Sequence, residues 1–404
     1  MNTRDELRFE KIFKTMLKAM RLNKTHPNIP RDKKWFLKFI IMYGTFMLGV
    51  SFATYSTFFH DLKDKNFSQA CYHGVLIVIF TVVSLYHIVM GWHRFHFQDL
   101  INQMKEDYDL AKRFAIEDYN VVLDYAKRGK MIMHIWLAVG LSCVTVHQLS
   151  AILPMVHNAA MTGKFQCVHL YNITYPGDLE HWKNETSVCL SLFALFTYGY
   201  MYAVIMYIAG PALGPILMLH GCGQLELVRR RIANTYSNRN KGFEVQNLKL
   251  AAKHLSMTYK YIVSDLSLQM FHEIIFKAVI VILPILFYQL KEVSHILFQG
   301  GNTNREMNIE IIGFAFGASL LCGLPCYYGD MLLEKTNDIK MALYSCGWEH
   351  HVEREPRTLI LLLMIRVDLP VGLSTMFLDI CLEQLTDIYR QAYALFNLLI
   401  AVLD

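Results

Sequence analysis

The sequence is poor in charged residues. Asp, Glu, Lys and Arg make up 18% of the 404 residues, whereas hydrophobic residues make up 54%; soluble domains average about 25% charged residues. The charges are also clustered, and five long segments contain none of these four residues: 39–60, 66–93, 131–163, 186–225 and 311–329. A bilayer-spanning helix needs about 20 mostly apolar residues. The composition therefore predicts a helical membrane protein that crosses the bilayer several times.

The sequence also lacks the motifs of the common membrane enzymes. It has no CxxC pair, no P-loop and no Gly-rich nucleotide loop, and its histidines do not form clustered His boxes. Gly329-Asp330 matches half of an intramembrane aspartyl protease motif, but span six contains no partner Asp. We therefore predict no catalytic residue, no metal site and no cofactor.

The apolar segments predict seven spans, near residues 36–59, 71–92, 131–155, 187–225, 274–290, 311–328 and 376–403. The fourth is too long for the bilayer alone, so we expect a helix that continues beyond the membrane or one broken at Pro211 or Pro215. The seventh is interrupted by four charged residues: Asp379, Glu383, Asp387 and Arg390. Charges within a span usually face water or protein rather than lipid.

The distribution of basic residues predicts the orientation. Segments 1–38, 93–130, 226–266 and 330–366 contain 11, 7, 8 and 5 Lys or Arg, whereas each alternate segment contains 2. Basic loops stay in the cytosol. We therefore expect an all-α membrane protein of seven transmembrane helices with a cytosolic N-terminus and an extracellular C-terminus. A G-protein-coupled receptor has the opposite orientation, and its Asp-Arg-Tyr and Asn-Pro-x-x-Tyr motifs are absent.

Three glycosylation motifs agree with this orientation. N-x-S/T begins at Asn66, Asn172 and Asn184, all in segments predicted to be external. Cys167 and Cys189 lie at the ends of the second outer loop and are candidates for a disulfide. The alternative is that all nine cysteines are small apolar fillers.

The C-terminal segment provides a family resemblance. It contains, in order, Tyr344-x3-Trp348, an apolar stretch 359–365 ending in Arg366, Leu369-Pro370, and a last helix with Phe377, Tyr389, Tyr393 and Phe396. Together with the length and the predicted topology, this order resembles the insect odorant receptor family. The Gln-Phe pair of the sister gustatory receptors is absent after Tyr393. The loop 226–266 is short, whereas the family's co-receptor has a large insertion there.

The resemblance implies a ligand-tuned subunit of an odorant-gated, non-selective cation channel. Such a subunit binds a small volatile and assembles with the odorant co-receptor as a hetero-oligomeric tetramer around one central pore. The complex lies in the plasma membrane of sensory neurons. Nucleic acid is not an expected partner. It implies a cytosolic N-terminus 1–34, helices one to six with an outer-half pocket in 35–330, a cytosolic anchor in 331–375 with a short helix 359–369, and a pore-lining helix in 376–404. The alternatives are a gustatory-type channel and a polytopic transporter or enzyme.

The last helix has a face suited to a pore. Residues at three- and four-residue spacing share one face, here Asp387, Gln391, Leu395, Leu398 and Val402. Asp379 and Glu383 are expected to continue this face towards the cytosol. Carboxylate rings attract cations and apolar rings close pores by dewetting, so we predict Leu398 and Val402 as the outer gate. The alternatives are ordinary packing for the two apolar residues and an ion pair between Asp387 and Arg390.

The odorant pocket should be mainly apolar with one or two polar groups. Its candidates lie in the outer halves of spans two, three, four and six: Tyr72, Leu76, Phe80, Val144, His147, Gln148, Phe193, Phe196, Tyr200 and Phe316. His147 and Gln148 are the best polar anchors, and an interhelical structural hydrogen bond is the alternative for both. The alternative for the aromatic residues is packing or lipid contact.

Overall fold

The computed structural model describes residues 6–236, 241–263, 275–289, 291, 305–350, 353–368, 372–374 and 379–403. These residues form fourteen α-helices: α1 Phe9–Ile12, α2 Lys14–Leu22, α3 Lys33–Ser56, α4 Phe67–Trp92, α5 Arg94–Ala111, α6 Ile116–Thr162, α7 Leu179–Trp182, α8 Thr186–Ala209, α9 Leu213–Ala233, α10 Lys241–Val263, α11 Ile275–Gln289, α12 Arg305–Ser345, α13 Arg354–Asp368 and α14 Leu382–Leu403. The chain is nearly all-helical, as the sequence predicts.

Five helical stretches in the described residues are long and apolar enough to cross a membrane: Lys33–Asp61, Phe67–Trp92, Ile116–Thr162, Thr186–Ala233 and Ile312–Ser345. The apolar helix α11 is shorter, at 15 residues, and α14 is interrupted by charges. These elements correspond to the predicted spans in order. The count of seven crossings and the sides of the two termini stay predictions.

The fourth predicted span is two helices. α8 ends at Ala209 and α9 begins at Leu213, so Pro211 lies in the interruption and Pro215 lies in the first turn of α9, where a missing amide costs little. α9 then packs against α6, α10 and α12. Its side chains are buried almost continuously from Leu213 to Val228. α9 is therefore the central helix of the predicted cytosolic half.

The N-terminal segment is more closely integrated than its polar composition indicates. Phe13, Met16 and Met20 have no exposed surface, and α2 packs against α8. Asn23 Nδ2 donates to Met206 Sδ at 2.8 Å. α1 in turn packs against α5 and α6, so both N-terminal helices are part of the helical core.

The region before the last helix differs from the prediction. α14 begins at Leu382, and Asp379 instead forms an isolated antiparallel bridge with Ser374. The expectation that Asp379 extends the pore face of the helix is therefore wrong; residues 376–378 lie outside the described residues. The bridge packs against Gly329 of α12, where a Cβ would overlap the Ile380 carbonyl oxygen, so this position requires glycine.

The predicted anchor helix is also longer than expected. α13 covers Arg354–Asp368 and packs against α10 and α12. Lys249 Nζ of α10 lies 2.9 Å from Glu355 Oε1 of α13. Leu369, the last residue of the expected helix, lies outside the described residues.

A buried polar chain connects α5, α9 and α10. His220 Nε2 lies 2.9 Å from Asp107 Oδ2, and the Gln224 side chain lies between His220, at 3.5 Å, and His254, at 2.8 Å. The pKa of His254 is lowered to about 4, mainly by burial and also by the nearby Arg231 and His220, whereas Asp107 opposes the shift. His254 is therefore neutral in the folded protein at neutral pH.

The lowered pKa of His254 predicts that the folded protein loses stability in acid. An unfolded His titrates near pH 6.5, so the folded state is unaffected above that pH and loses stability as the pH falls from about 6.5 towards 4. We expect a loss of about 2 kcal/mol at pH 5. Thermal unfolding of the detergent-solubilised protein at pH 7.5 and pH 5 measures it. His254→Gln should abolish this part of the loss, whereas His134→Gln, at an exposed site, should not.

Candidate functional site

An apolar cavity of about 100 Å³ lies between α4, α6, α8, α11 and α12. Five aromatic rings line it, together with glycine, alanine and aliphatic residues: Phe80, Trp136, Tyr200, Tyr207 and Phe314. Among the described residues, no charged side chain lines it. Gly317 of α12 faces free space, since a Cβ added there would meet nothing within 4 Å. The cavity is suited to a small, neutral, largely apolar molecule.

The cavity contains three of the ten residues proposed for odorant binding. Phe80, Val144 and Tyr200 line it. Leu76 is buried but lies outside it. Phe316 is 57% exposed, because it lies on the opposite side of α12 from Phe314, two residues away. The cavity lies nearer the middle of the predicted spans than the outer-half pocket expected from the sequence.

Four of the predicted residues form a second group with Tyr171, which was not predicted. We call this group the outer aromatic cluster: Tyr72, His147, Tyr171, Phe196 and Tyr200. The ring centroid of His147 lies 4.3 Å from that of Tyr200 and 4.8 Å from that of Tyr171. Tyr171 packs on Phe196 at 5.2 Å and on Tyr72 at 6.1 Å, and its hydroxyl donates to the Tyr200 hydroxyl. Since Tyr200 also lines the cavity, the cluster covers the cavity on its outer side.

The other polar candidate has a structural partner. Thr197 Oγ1 of α8 donates to Gln148 Oε1 of α6 at 3.1 Å, and neither residue lines the cavity. This contact is the interhelical hydrogen bond that the sequence analysis offers as the alternative to ligand binding. Phe193 is half-buried and also lies outside the cavity lining.

Sequence reasoning missed several of the lining residues. Trp136, Gly140, Cys143, Tyr207 and Gly317 line the cavity but were not among the candidates, since the prediction was directed at aromatic and polar residues in the outer halves of the spans. Small residues in membrane helices mark close helix approach. Gly140 fits this rule, because a Cβ there would lie 2.8 Å from Val204 Cγ1. The glycines of spans three and six are therefore the sequence feature that could have located the cavity.

The second outer loop folds over the outer aromatic cluster. Tyr171, Ile173 and Tyr175 are at most 3% exposed, and a disulfide joins Cys167 to Cys189 at the start of α8. The three candidate glycosylation residues, Asn66, Asn172 and Asn184, are all exposed. Asn66 also caps α4 by accepting from the Gln69 amide at 3.2 Å.

Removal of this disulfide should destabilise the loop. For Cys167→Ser combined with Cys189→Ser we expect a loss of about 3 kcal/mol in the free energy of unfolding, because the bond closes a loop of 22 residues. Thermal unfolding with and without a reducing agent measures the effect. Reductant should lower the melting temperature of the wild type but not of the double variant. Cys381→Ser is the control, since Cys381 is in no disulfide. An equal loss of unfolding free energy in this variant would contradict the assignment of the stability to the Cys167–Cys189 bond.

A larger, charged cleft lies at the predicted cytosolic end. It measures about 670 Å³ and lies between α6, α9 and α12. Most of its charges are paired: Arg229 with Glu226 at 2.6 Å, Arg128 with Asp124 at 2.9 Å, and Lys335 with Glu226 and Asp338. A neutral, apolar volatile gains little binding free energy from a lining of paired charges. Size alone therefore does not identify the ligand site.

The proposed pore face of α14 is uncovered in the single chain. Gln391, Leu395 and Leu398 are exposed, and Leu398 is 60% exposed. Arg390 Nη1 lies 3.1 Å from Asp387 Oδ1, the ion pair offered as the alternative for Asp387. The side chain of Val402 lies outside the described residues.

Another side of α14 contacts the other helices of the chain. α14 packs against α12, and Phe396 lies 6.0 Å from Phe287 of α11. Both α11 and α12 also line the cavity. Two helices therefore connect the cavity with α14.

Comparison with known proteins agrees with this architecture. Residues 66–393 match the family model described as 7tm odorant receptor, so the chain belongs to the odorant receptor family. Members of this family are ligand-gated channels, not enzymes. No curated protein sequence matches the chain.

Two solved structures share the fold. The olfactory receptor OR5 from Machilis hrabei in complex with eugenol has 12% sequence identity and a TM-score of 0.78, over 98% of this chain and 100% of that chain. A second structure of the same receptor, with the same identity and coverage, has a TM-score of 0.73. At this identity the likeness establishes the fold, and the site has to be argued from the residues of this chain.

Proposed function

We propose that this protein is the ligand-tuned subunit of an odorant-gated, non-selective cation channel, and that the mid-span cavity binds the odorant. The cavity is the single observation that supports this best, since it is apolar, enclosed by five helices and free of charge. A small volatile is the ligand class that such a lining accepts. Phe80, Val144 and Tyr200 would contact it directly.

The connection to the pore gives the proposed mechanism. Phe314 and Gly317 of α12 and Ile282 of α11 line the cavity, and both helices contact α14. A ligand that fits the open packing better than the closed one shifts the population towards open. No covalent step or cofactor is needed.

The proposed gate is the exposed apolar end of α14. Leu395 and Leu398 would meet the same residues of neighbouring subunits around a central pore, with Val402 beyond them and Gln391 and Asp387 towards the cytosol. An apolar ring closes a pore by dewetting. Because one chain alone does not enclose a pore, oligomerisation is part of the proposal, and the exposed Leu398 is available for it.

The assembly would be a tetramer with the odorant co-receptor in the plasma membrane of sensory neurons. Residues 1–34 would lie in the cytosol, 35–330 would hold helices one to six, 331–375 would form the cytosolic anchor and 376–404 the pore helix. The partner contacts would include the exposed apolar residues Leu361, Leu362 and Ile365 of α13.

Heterologous co-expression tests the function. The chain is expressed with and without the co-receptor, surface delivery is checked by labelling, and currents are recorded against a panel of volatiles that includes eugenol. We expect a cation current that depends on a volatile and appears only on co-expression. Silence across the panel despite surface delivery would contradict the proposal and favour a transporter. Activation by non-volatile tastants alone would favour the gustatory-type channel.

A further inference from the structure

The lining of the cavity includes a residue with a buried hydrogen-bond donor, for which the described residues provide no acceptor. Trp136 is 4% exposed and lines the cavity, and its Nε1 has no hydrogen-bond partner among the described residues. Buried polar groups are nearly always paired in folded proteins. An indole N–H can only donate, so the partner that it needs is an acceptor.

The surroundings of Trp136 hold its ring in place. The indole stacks on Tyr207 at 6.0 Å with an interplanar angle of 10°, and both rings line the same cavity. A stacked ring cannot swing out to find water without losing this contact. The Tyr200 hydroxyl, which also lies at the cavity, is already bonded to Tyr171.

The rest of the lining restricts the ligand further. No lining residue carries a charge, and burying an unpaired ammonium or carboxylate in such a site is strongly unfavourable. Hydrocarbon ligands satisfy the lining but leave the indole N–H unpaired. The ligand that satisfies both requirements is neutral and mostly apolar, with one acceptor oxygen.

We propose that Trp136 Nε1 donates a hydrogen bond to the odorant and tunes this channel to small ketones, aldehydes, esters or ethers over hydrocarbons of the same shape. This inference rests on the proposed function, because it assigns the ligand class of the same cavity.

Matched pairs of volatiles test the preference. Each pair keeps the shape and replaces a carbonyl by a methylidene group: 2-heptanone with 2-methyl-1-heptene, and acetophenone with α-methylstyrene. With the co-receptor present, the wild type should respond to the carbonyl member at a concentration about 3- to 10-fold lower, the range expected for one neutral hydrogen bond.

Three variants identify the donor. Introducing 3-benzothienylalanine at position 136 replaces the N–H by sulfur and keeps the ring shape, and Trp136→Phe is a second route if that analogue is poorly incorporated. In both variants, the two members of each pair should activate the channel at about the same concentration. Tyr207→Phe removes the neighbouring hydroxyl and should keep the preference.

The outcomes separate this inference from the proposed function. A wild type that is opened by volatiles without discriminating within the pairs overturns the role of Trp136 and leaves the channel intact. A preference that survives loss of the indole N–H, or that disappears only in Tyr207→Phe, also overturns it. A wild type that reaches the surface and is opened by no volatile overturns both.

Discussion

Channels that contain Leu398→Ala are expected to pass roughly tenfold more current than the wild type when no volatile is present. The leucine is 60% exposed on the proposed pore face, and shortening it widens the apolar ring and lets water enter. A tenfold change corresponds to about 1.4 kcal/mol in the equilibrium between closed and open pores. Recording the basal cation current at equal surface density measures it.

Leu399→Ala is the matched control for this change. It removes the same atoms one residue further along α14, on a half-buried face that lies about 100° around the helix. Its basal current should stay close to that of the wild type. An unchanged basal current in Leu398→Ala, or an equal increase in both variants, would contradict the assignment of the gate.

Partly filling the cavity should reduce sensitivity to volatiles by roughly 10- to 100-fold, the usual effect of one or a few extra carbons in an apolar pocket. Gly317→Val is suited to this test, because a Cβ at Gly317 meets nothing within 4 Å and the added carbons have room only in a space of about 100 Å³. The half-maximal concentration of an activating volatile measures the loss.

Gly323→Val provides the comparison for the cavity. Gly323 lies on the same helix and also has free space for a Cβ, but it does not line the cavity. Its dose–response curve should match the wild type. A similar shift in both variants would mean that valine disturbs α12 itself, and normal sensitivity in Gly317→Val would place the ligand elsewhere.

The distribution of charge was sufficient to predict the helical membrane architecture. The segments without charge correspond to α3, α4, α6, α8 with α9, and α12, because burying charge in a bilayer is costly whatever the neighbouring residues are. The last helix was predicted as a weaker apolar segment that four charged residues interrupt. Its start was misplaced, since the bridge between Ser374 and Asp379 depends on contact with α12, which is distant in sequence.

The depth of the cavity could not be predicted in the same way. Membrane helices are apolar on all sides, so Phe314 and Phe316 look alike in the sequence although only Phe314 lines the cavity. Trp136 was missed because an orphaned indole N–H is a property of its three-dimensional neighbours. Likewise, the burial of Met16 and Met20 goes with the packing of α2 against α8, which the basic composition of the segment conceals.

The closed outer loop has a consequence for how a ligand arrives. Tyr171, Ile173 and Tyr175 are buried in the loop that is predicted to be external, and the disulfide at Cys167 holds this loop to α8. In the proposed orientation, a volatile dissolved in the surrounding fluid would meet this closed loop, whereas one dissolved in the bilayer would meet the sides of the helices. Potency within a chemical series should then rise with the oil–water partition coefficient, since the bilayer acts as the reservoir from which the receptor is loaded.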